Sequence, residues 1–321
     1  MSHEDPLGSA AAGVDVGGGG IRIRVERDGR SAEQRRDIAI PRRGGRIDVP
    51  AVCGLILDGL DGALDEVDAT GLTRVGIGLT GLPGLVEDSE EFWRRLKPDL
   101  GIETLVVASD ALTTHVGALG GEAGSVVAAG TGMITLGTDL DRIWNQADGW
   151  GVLLGDEGSG AWIGRQGLQA ALRSYDGRPG GSAKLRTRMY ERFGDPLEVI
   201  NQVYPAESPA NQLASFAPAV EAAAAHGDPV AAGIWLEAGT LLGSAAVAAL
   251  RGLPPRISWG GGLFNAGHLL LDPFREEIRR SLPEAEVLEP VGTALQGALL
   301  LARRAADGRV ATHEPHLYVF G

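Results

Sequence analysis

Three glycine clusters follow short apolar runs in this chain. Gly17, Gly18, Gly19 and Gly20 come after 12–16, Gly130, Thr131 and Gly132 after 125–129, and Gly260, Gly261 and Gly262 after 256–259. Glycines at such turns let a ligand approach the backbone and free amide N–H groups to face an anion, and several converging loops suit a polyphosphate. Any one of them alone is accounted for by an ordinary tight turn. The acids beside them supply the chemistry. Asp15 stands just ahead of the first cluster, where a carboxylate could hold a magnesium ion and its waters beside phosphate oxygens. Asp110 follows the apolar run 104–108 and opens a helix, a position from which to take the proton of an attacking hydroxyl, as in phosphoryl transfer. As a helix cap it would do no chemistry, and Ser109 could equally fill that part. Asp156 and Glu157 lie in Gly155-Asp156-Glu157-Gly158-Ser159-Gly160, ahead of a helix that Ser159 can cap. There the two acids either accept hydrogen bonds from a polyol or sit as solvated residues favoured by the helix dipole. Trp144, Trp150 and Trp162 gather around this acidic segment, as a pocket wall or as core.

Other constellations fit less well. Gly76-Ile77-Gly78-Leu79-Thr80-Gly81 matches the dinucleotide-binding pattern, but Leu82-Pro83-Gly84 follows where its helix should start. Ser109, Asp110 and His115 lack the nucleophile elbow of a hydrolase. Lys97 and Lys184 are the only lysines, and neither sits in a P-loop or in a protein-kinase lysine strand. Cys53 is alone, which excludes an internal disulfide, a cysteine-rich zinc site and a cysteine-ligated cluster within one chain. His313 and His316 have no cysteine or acidic cluster beside them and read as solvated.

The elements that must position these residues read as α/β. Residues 1–10 form a polar terminus, then 12–16 and 21–25 make a hairpin around the first glycines, with a third strand at 37–40. Apolar residues at helical spacing, among them Val52, Ile56 and Leu60, predict a helix over 49–67. Strands at 74–79 and 104–108 and a helix at 111–119 follow. The glycine pattern then restarts: 125–129 and 133–137 look like a second copy of the opening hairpin. Residues 161–250 are largely helical, and a strand at 256–259, a helix near 268–281, a strand at 286–288 and a helix over 291–305 complete the chain.

The chain has 321 residues, 44% of them hydrophobic, enough for two lobes with full-sized cores. Forty-two acidic against 29 basic residues give a net charge of −13, which argues against nucleic acid and anionic membranes as partners. No run of about 18 apolar residues is evident, nor a signal peptide at the start, so a cytoplasmic protein is expected.

Taken together these segments resemble the sugar kinase, actin and Hsp70 superfamily, and within it the N-acetylglucosamine kinase and BadF/BadG-type ATPase group. Val14-Asp15-Val16-Gly17-Gly18-Gly19 is similar to its first phosphate motif, Ala128-Ala129-Gly130-Thr131-Gly132 to its second, and Ser258-Trp259-Gly260-Gly261-Gly262-Leu263-Phe264 to its adenosine motif. The segment from Gly149-Trp150-Gly151 through Gly155-Asp156-Glu157-Gly158-Ser159 resembles the group's own signature. The resemblance implies two ribonuclease H-like, actin-like ATPase lobes with a nucleotide cleft between them. The N-terminal lobe would span 1–112, joined by the C-terminal helix at about 297–321, and the C-terminal lobe 113–296 with its helical insertion. It implies ATP and Mg2+ as cofactors, Asp110 as catalytic base and Asp15 near the magnesium. It puts Gly17, Gly18, Gly19, Gly130, Thr131 and Gly132 on the phosphates and Gly260, Gly261 and Gly262 beside adenosine. Trp150, Gly151, Asp156 and Glu157 would lie towards a small-molecule sugar, with phosphate going to its 6-hydroxyl, and a homodimer fits the group. Two departures stand out. Gly19 occupies a place where relatives usually carry Thr or Ser, and no Asn occurs before Asn145 to recognise an acetamide as the group's does. A nucleotide- or sugar-binding sensor without transfer is the competing expectation, and a dinucleotide-dependent enzyme a distant third.

Overall fold

The apolar run ahead of the first glycines becomes β1 (Ala10–Gly17), buried over nearly its whole length. Its partner β2 (Gly20–Arg27) turns Ile21, Ile23 and Val25 inward at the two-residue period of a half-covered strand. The third strand, expected at 37–40, is instead β3 (Arg30–Arg36). It is an edge strand with only Ala32 buried, so backbone pairing to β2 fixes its place and the hydrophobic pattern does not. The computed structural model describes residues 10–321, so the polar start expected over 1–10 lies, except for Ala10, outside the described residues.

After a small hairpin of β4 (Arg42–Arg43) and β5 (Arg46–Ile47), α1 (Val49–Glu66) begins at Asp48, whose carboxylate accepts from the Ala51 amide at 3.2 Å. Then come β6 (Leu72–Leu79), the one-turn α2 (Leu82–Leu85), α3 (Glu90–Leu100), β7 (Thr104–Ser109) and α4 (Asp110–Leu119). A second sheet starts with β8 (Gly124–Ala129), β9 (Met133–Thr138) and β10 (Trp144–Ala147). The helical stretch divides into α5 (Gly160–Asp176), α6 (Ala183–Phe193), α7 (Pro196–Val203), α8 (Pro209–Ala214), α9 (Ala217–Ala225) and α10 (Pro229–Ala248). Strand β11 (Arg256–Gly260), a 3-10 turn at Gly262–Ala266, α11 (His268–Ser281) and β12 (Glu286–Val287) follow, and α12 (Ala294–Ala306) and β13 (Leu317–Phe320) close the chain.

The first sheet runs β13-β7-β6-β1-β2-β3, with β1, β6 and β7 parallel, β1, β2 and β3 joined as an antiparallel meander, and β13 antiparallel to β7. The second runs β10-β9-β8-β11-β12 in the same sense. Each is the ribonuclease H-like arrangement, and the second hairpin repeats the first. Each sheet belongs to its own unit: the first comprises residues up to Ala123, 139–142 and 289–321, the second 124–138 and 143–288.

The boundary expected after residue 112 therefore falls after 123, and the return expected near 297 falls at 289. Helix packing is the reason. A Cβ on Gly117 would lie 2.0 Å from the Thr293 carbonyl oxygen, and one on Gly297 would lie 1.9 Å from that of Thr113. Small residues there bring the backbones of α4 and α12 into contact, and α12 lies on β1 and β6, so both helices belong to the first sheet. In the second unit α10 is long and apolar enough to cross a membrane by length and composition. The sequence reading finds no such run because Glu237 and three glycines interrupt the apolar residues without interrupting the helix. Trp235, Leu242 and Ala246 are buried in the unit's core, where α10 packs on α11 and α9.

Candidate active site

In the first unit the chemistry collects where β1, β6 and β7 end. Asp15, only 4% exposed, lies directly across the hairpin from Arg22, whose guanidinium donates to its carboxylate. Asp110 is the first residue of α4. Ser109 takes the capping role, its Oγ accepting from the Leu112 amide at 3.3 Å, so the carboxylate of Asp110 is not spent as the cap. Its Oδ2 accepts a hydrogen bond from Thr80 Oγ at 2.7 Å and its Oδ1 one from the Ala111 amide at 2.8 Å. Burial pushes the Asp110 carboxyl above the ordinary aspartate range, against the pull of those two donors. Asp15 is likewise raised, chiefly by burial and also by the charge of Asp110, while Arg22 opposes the shift.

The first glycine loop is open. A Cβ on Gly18 or Gly19 would meet nothing within 4 Å, and one on Gly17 would meet only Thr80 Oγ. The backbone of this exposed turn is therefore open to a ligand, and side chains here would take up that space. With the Asp15 carboxylate beside it, this cradle fits a phosphate carrying magnesium, an ion that keeps several waters and often needs only one or two carboxylates. Among the described residues no group of three or more metal-binding side chains exists. His313 and His316 are half-buried at the C-terminal bridge rather than solvated.

Glycines of the dinucleotide pattern occupy packing positions. Gly76 packs on α12, where a Cβ would lie 2.0 Å from the Ala298 carbonyl oxygen, and Gly78 packs on Thr113. Thr80, within that segment, is the residue the sequence reading misses, because its role depends on a neighbour 30 positions away.

In the second unit Gly130, Thr131 and Gly132 make the turn between β8 and β9, closed by a hydrogen bond from the Gly130 amide to the Gly132 carbonyl at 2.8 Å. The amides of Gly160 and Ala161 donate to the Gly130 and Thr131 carbonyls, each at 2.9 Å. The positive end of the α5 dipole is thereby pinned to the loop, but the leading amides are spent on the Gly130 and Thr131 carbonyls and on Ser159, so the helix offers an anion a field and no free donor in its first turn. Gly261 has φ +95°, and a Cβ there would lie 2.2 Å from the Ala129 carbonyl oxygen, so glycine is required for β8 and the end of β11 to approach. Gly260 ends β11. Gly130, Thr131 and Gly262 line one cavity of about 360 Å³.

The acidic segment has an organiser that the sequence reading passes over. Asp148, in the left-handed region at φ +56°, accepts from the amides of Gly149 (2.7 Å), Asp156 (2.8 Å) and Glu157 (2.8 Å). The Asp148-Gly149 pair is the signal that could have found it. Asp156 is buried. Its Oδ1 accepts from the Gly151 amide at 3.0 Å, its Oδ2 lies against Gly132, and burial, then Asp148, pushes its carboxyl up. The exposed Glu157 and Trp150, the latter 64% exposed, line a second cavity with Asp148. Trp162 is core, so the three tryptophans do not form one wall. Asn145 is committed to the Ala249 and Arg251 carbonyls.

A model of the BadF/BadG/BcrA/BcrD ATPase family matches residues 12–302. The chain belongs to that family. It is 27% identical over 264 residues, 79% of this chain and 84% of the relative, to the N-acetylmuramic acid/N-acetylglucosamine kinase of Clostridium acetobutylicum. A solved structure assigned as an N-acetylglucosamine kinase of Chromobacterium violaceum has 28% identity and a TM-score of 0.67, over 92% of this chain and 100% of that one. A ROK family glucokinase of Streptomyces griseus, solved with glucose and AMPPNP, shares the fold at 20% identity and a TM-score of 0.62, over 92% of this chain and 100% of that one. The family member described here thus has the actin-like ATPase fold of sugar kinases.

Proposed function

We propose that the chain is an ATP- and magnesium-dependent kinase that phosphorylates a hydroxyl, the 6-hydroxyl in our reading, of an amino sugar such as N-acetylglucosamine or glucosamine. The observation that carries this is Asp110: a half-buried carboxylate, freed from capping by Ser109, oriented by Thr80 and held above the usual carboxylate range. Such a group accepts a proton from a sugar hydroxyl as the oxygen attacks phosphorus. Phosphoryl transfer asks for positioning and charge neutralisation more than covalent help. Gly17, Gly18, Gly19, Gly130, Thr131 and Gly132 hold the phosphates by backbone contacts, and Asp15 holds magnesium, directly or through water. Magnesium, when bound, supplies neutralisation of the charge developing on the phosphate oxygens. Gly260, Gly261 and Gly262 lie beside the adenosine. Trp150, Gly151, Asp156 and Glu157 turn towards the sugar. Family membership and the relative's name support the substrate class.

The test is ADP release by purified protein with MgATP and glucosamine, N-acetylglucosamine, N-acetylmuramic acid, N-acetylmannosamine, glucose or no sugar. Rapid ADP formation with one amino sugar is expected. Nucleotide binding without sugar-dependent ADP would overturn the kinase reading in favour of a sensor.

A further inference from the structure

The cavity that holds Gly130, Thr131 and Gly262 has a chemically distinct wall beyond the glycine loop. Glu221 of α9, Asn265 and Trp235 of α10 also line it, and no lysine or arginine does. Glu221 is half-buried and takes part in no hydrogen bond or ion pair among the described residues. The cavity therefore asks for a group that brings hydrogen-bond donors to Glu221.

The order along the wall narrows this. Ala214 stands beside Gly130 and Gly160 at the glycine end. Glu221 follows one helical turn after Ala217, on the same face of α9 and about 6 Å farther along the axis. A carboxylate against the phosphates would repel them, whereas one displaced by a turn meets the next part of a nucleotide. Resting on the kinase reading above, we infer that Glu221 accepts hydrogen bonds from the vicinal ribose hydroxyls of the phosphoryl donor and so selects a ribonucleoside triphosphate. The same logic operates where an acidic residue binds the ribose hydroxyl in dinucleotide sites. The carboxylate also repels any nucleotide phosphorylated on the ribose.

Calorimetric titration without sugar tests this, using MgATP and Mg-2′-deoxyATP with the wild type and with Glu221→Ala, a substitution that suits a helix. The wild type should bind 2′-deoxyATP about tenfold more weakly than ATP, the size of one lost hydrogen bond to a charged group. E221A should lose that preference, binding ATP as the wild type binds 2′-deoxyATP. Equal binding of the two nucleotides by the wild type, or an undiminished preference in E221A, overturns the assignment of Glu221 while leaving the kinase reading intact. Failure of the wild type to bind either nucleotide overturns the kinase reading and this inference with it.

Discussion

A proton leaving a sugar hydroxyl is taken up more readily by a carboxylate whose affinity for it exceeds that of a free aspartate, and the surroundings of Asp110 provide this. Burial raises its pKa, while Thr80 and the Ala111 amide favour the ionised form and limit the rise. The ionised form is the active one, so activity falls as pH drops through the pKa. The acid limb of kcat/KM should lie above the ordinary aspartate value of about 3.9. Replacing Thr80 with Val removes a donor to the carboxylate and moves that limb to higher pH still; an unmoved limb would detach Asp110 from the profile. Asp110→Asn should lower kcat by about 10²–10⁴ fold with far-UV dichroism and ATP affinity retained. Near-normal turnover in that variant would remove Asp110 as the base.

Glycines at two kinds of position separate architecture from function at the level of elements. Gly117 and Gly297 sit where α4 and α12 touch, and a Cβ at either would run into backbone that cannot swing aside. Gly297→Ala should therefore cost about 1–3 kcal/mol or more in denaturant unfolding. Gly18→Ala meets open space, so its stability should match the wild type while MgATP affinity falls, and equal affinity would remove Gly18 from the phosphate cradle. The glycine loops, α1 and the repeated hairpin were readable in the sequence because each is written in local spacing. β3 and β10 were not: β3 is an arginine-rich edge strand, β10 a half-buried four-residue one, and backbone pairing places both. β13 escaped for the same reason, pairing with β7 across some 210 residues of chain. Thr80 and Glu221 matter through a partner or a cavity that only folding assembles, so no spacing could single them out, whereas Asp148 is marked locally by the glycine that follows it.

At the scale of the whole molecule the charge works against the ligand. A net charge of −13 surrounds a protein whose proposed donor, MgATP, is itself an anion, so the long-range field slows encounter and must be overcome by short-range glycine amides, the α5 dipole and magnesium. Salt separates the two ranges. The Debye length shrinks from about 30 Å at 0.01 M ionic strength to about 8 Å at 0.15 M, which screens the distant acids and leaves contacts within the site largely untouched. The association rate of MgATP, followed by stopped-flow tryptophan fluorescence, should accordingly rise over that range while the dissociation rate changes little. A site steered by a basic surface would behave in the opposite way, with association slowing as salt is added. Arg22 stands two residues after the first glycine loop and is already paired with Asp15, so it has little free charge with which to reverse the sign. A fall in the association rate with salt would overturn this account and mean that local basic groups outweigh the net negative charge.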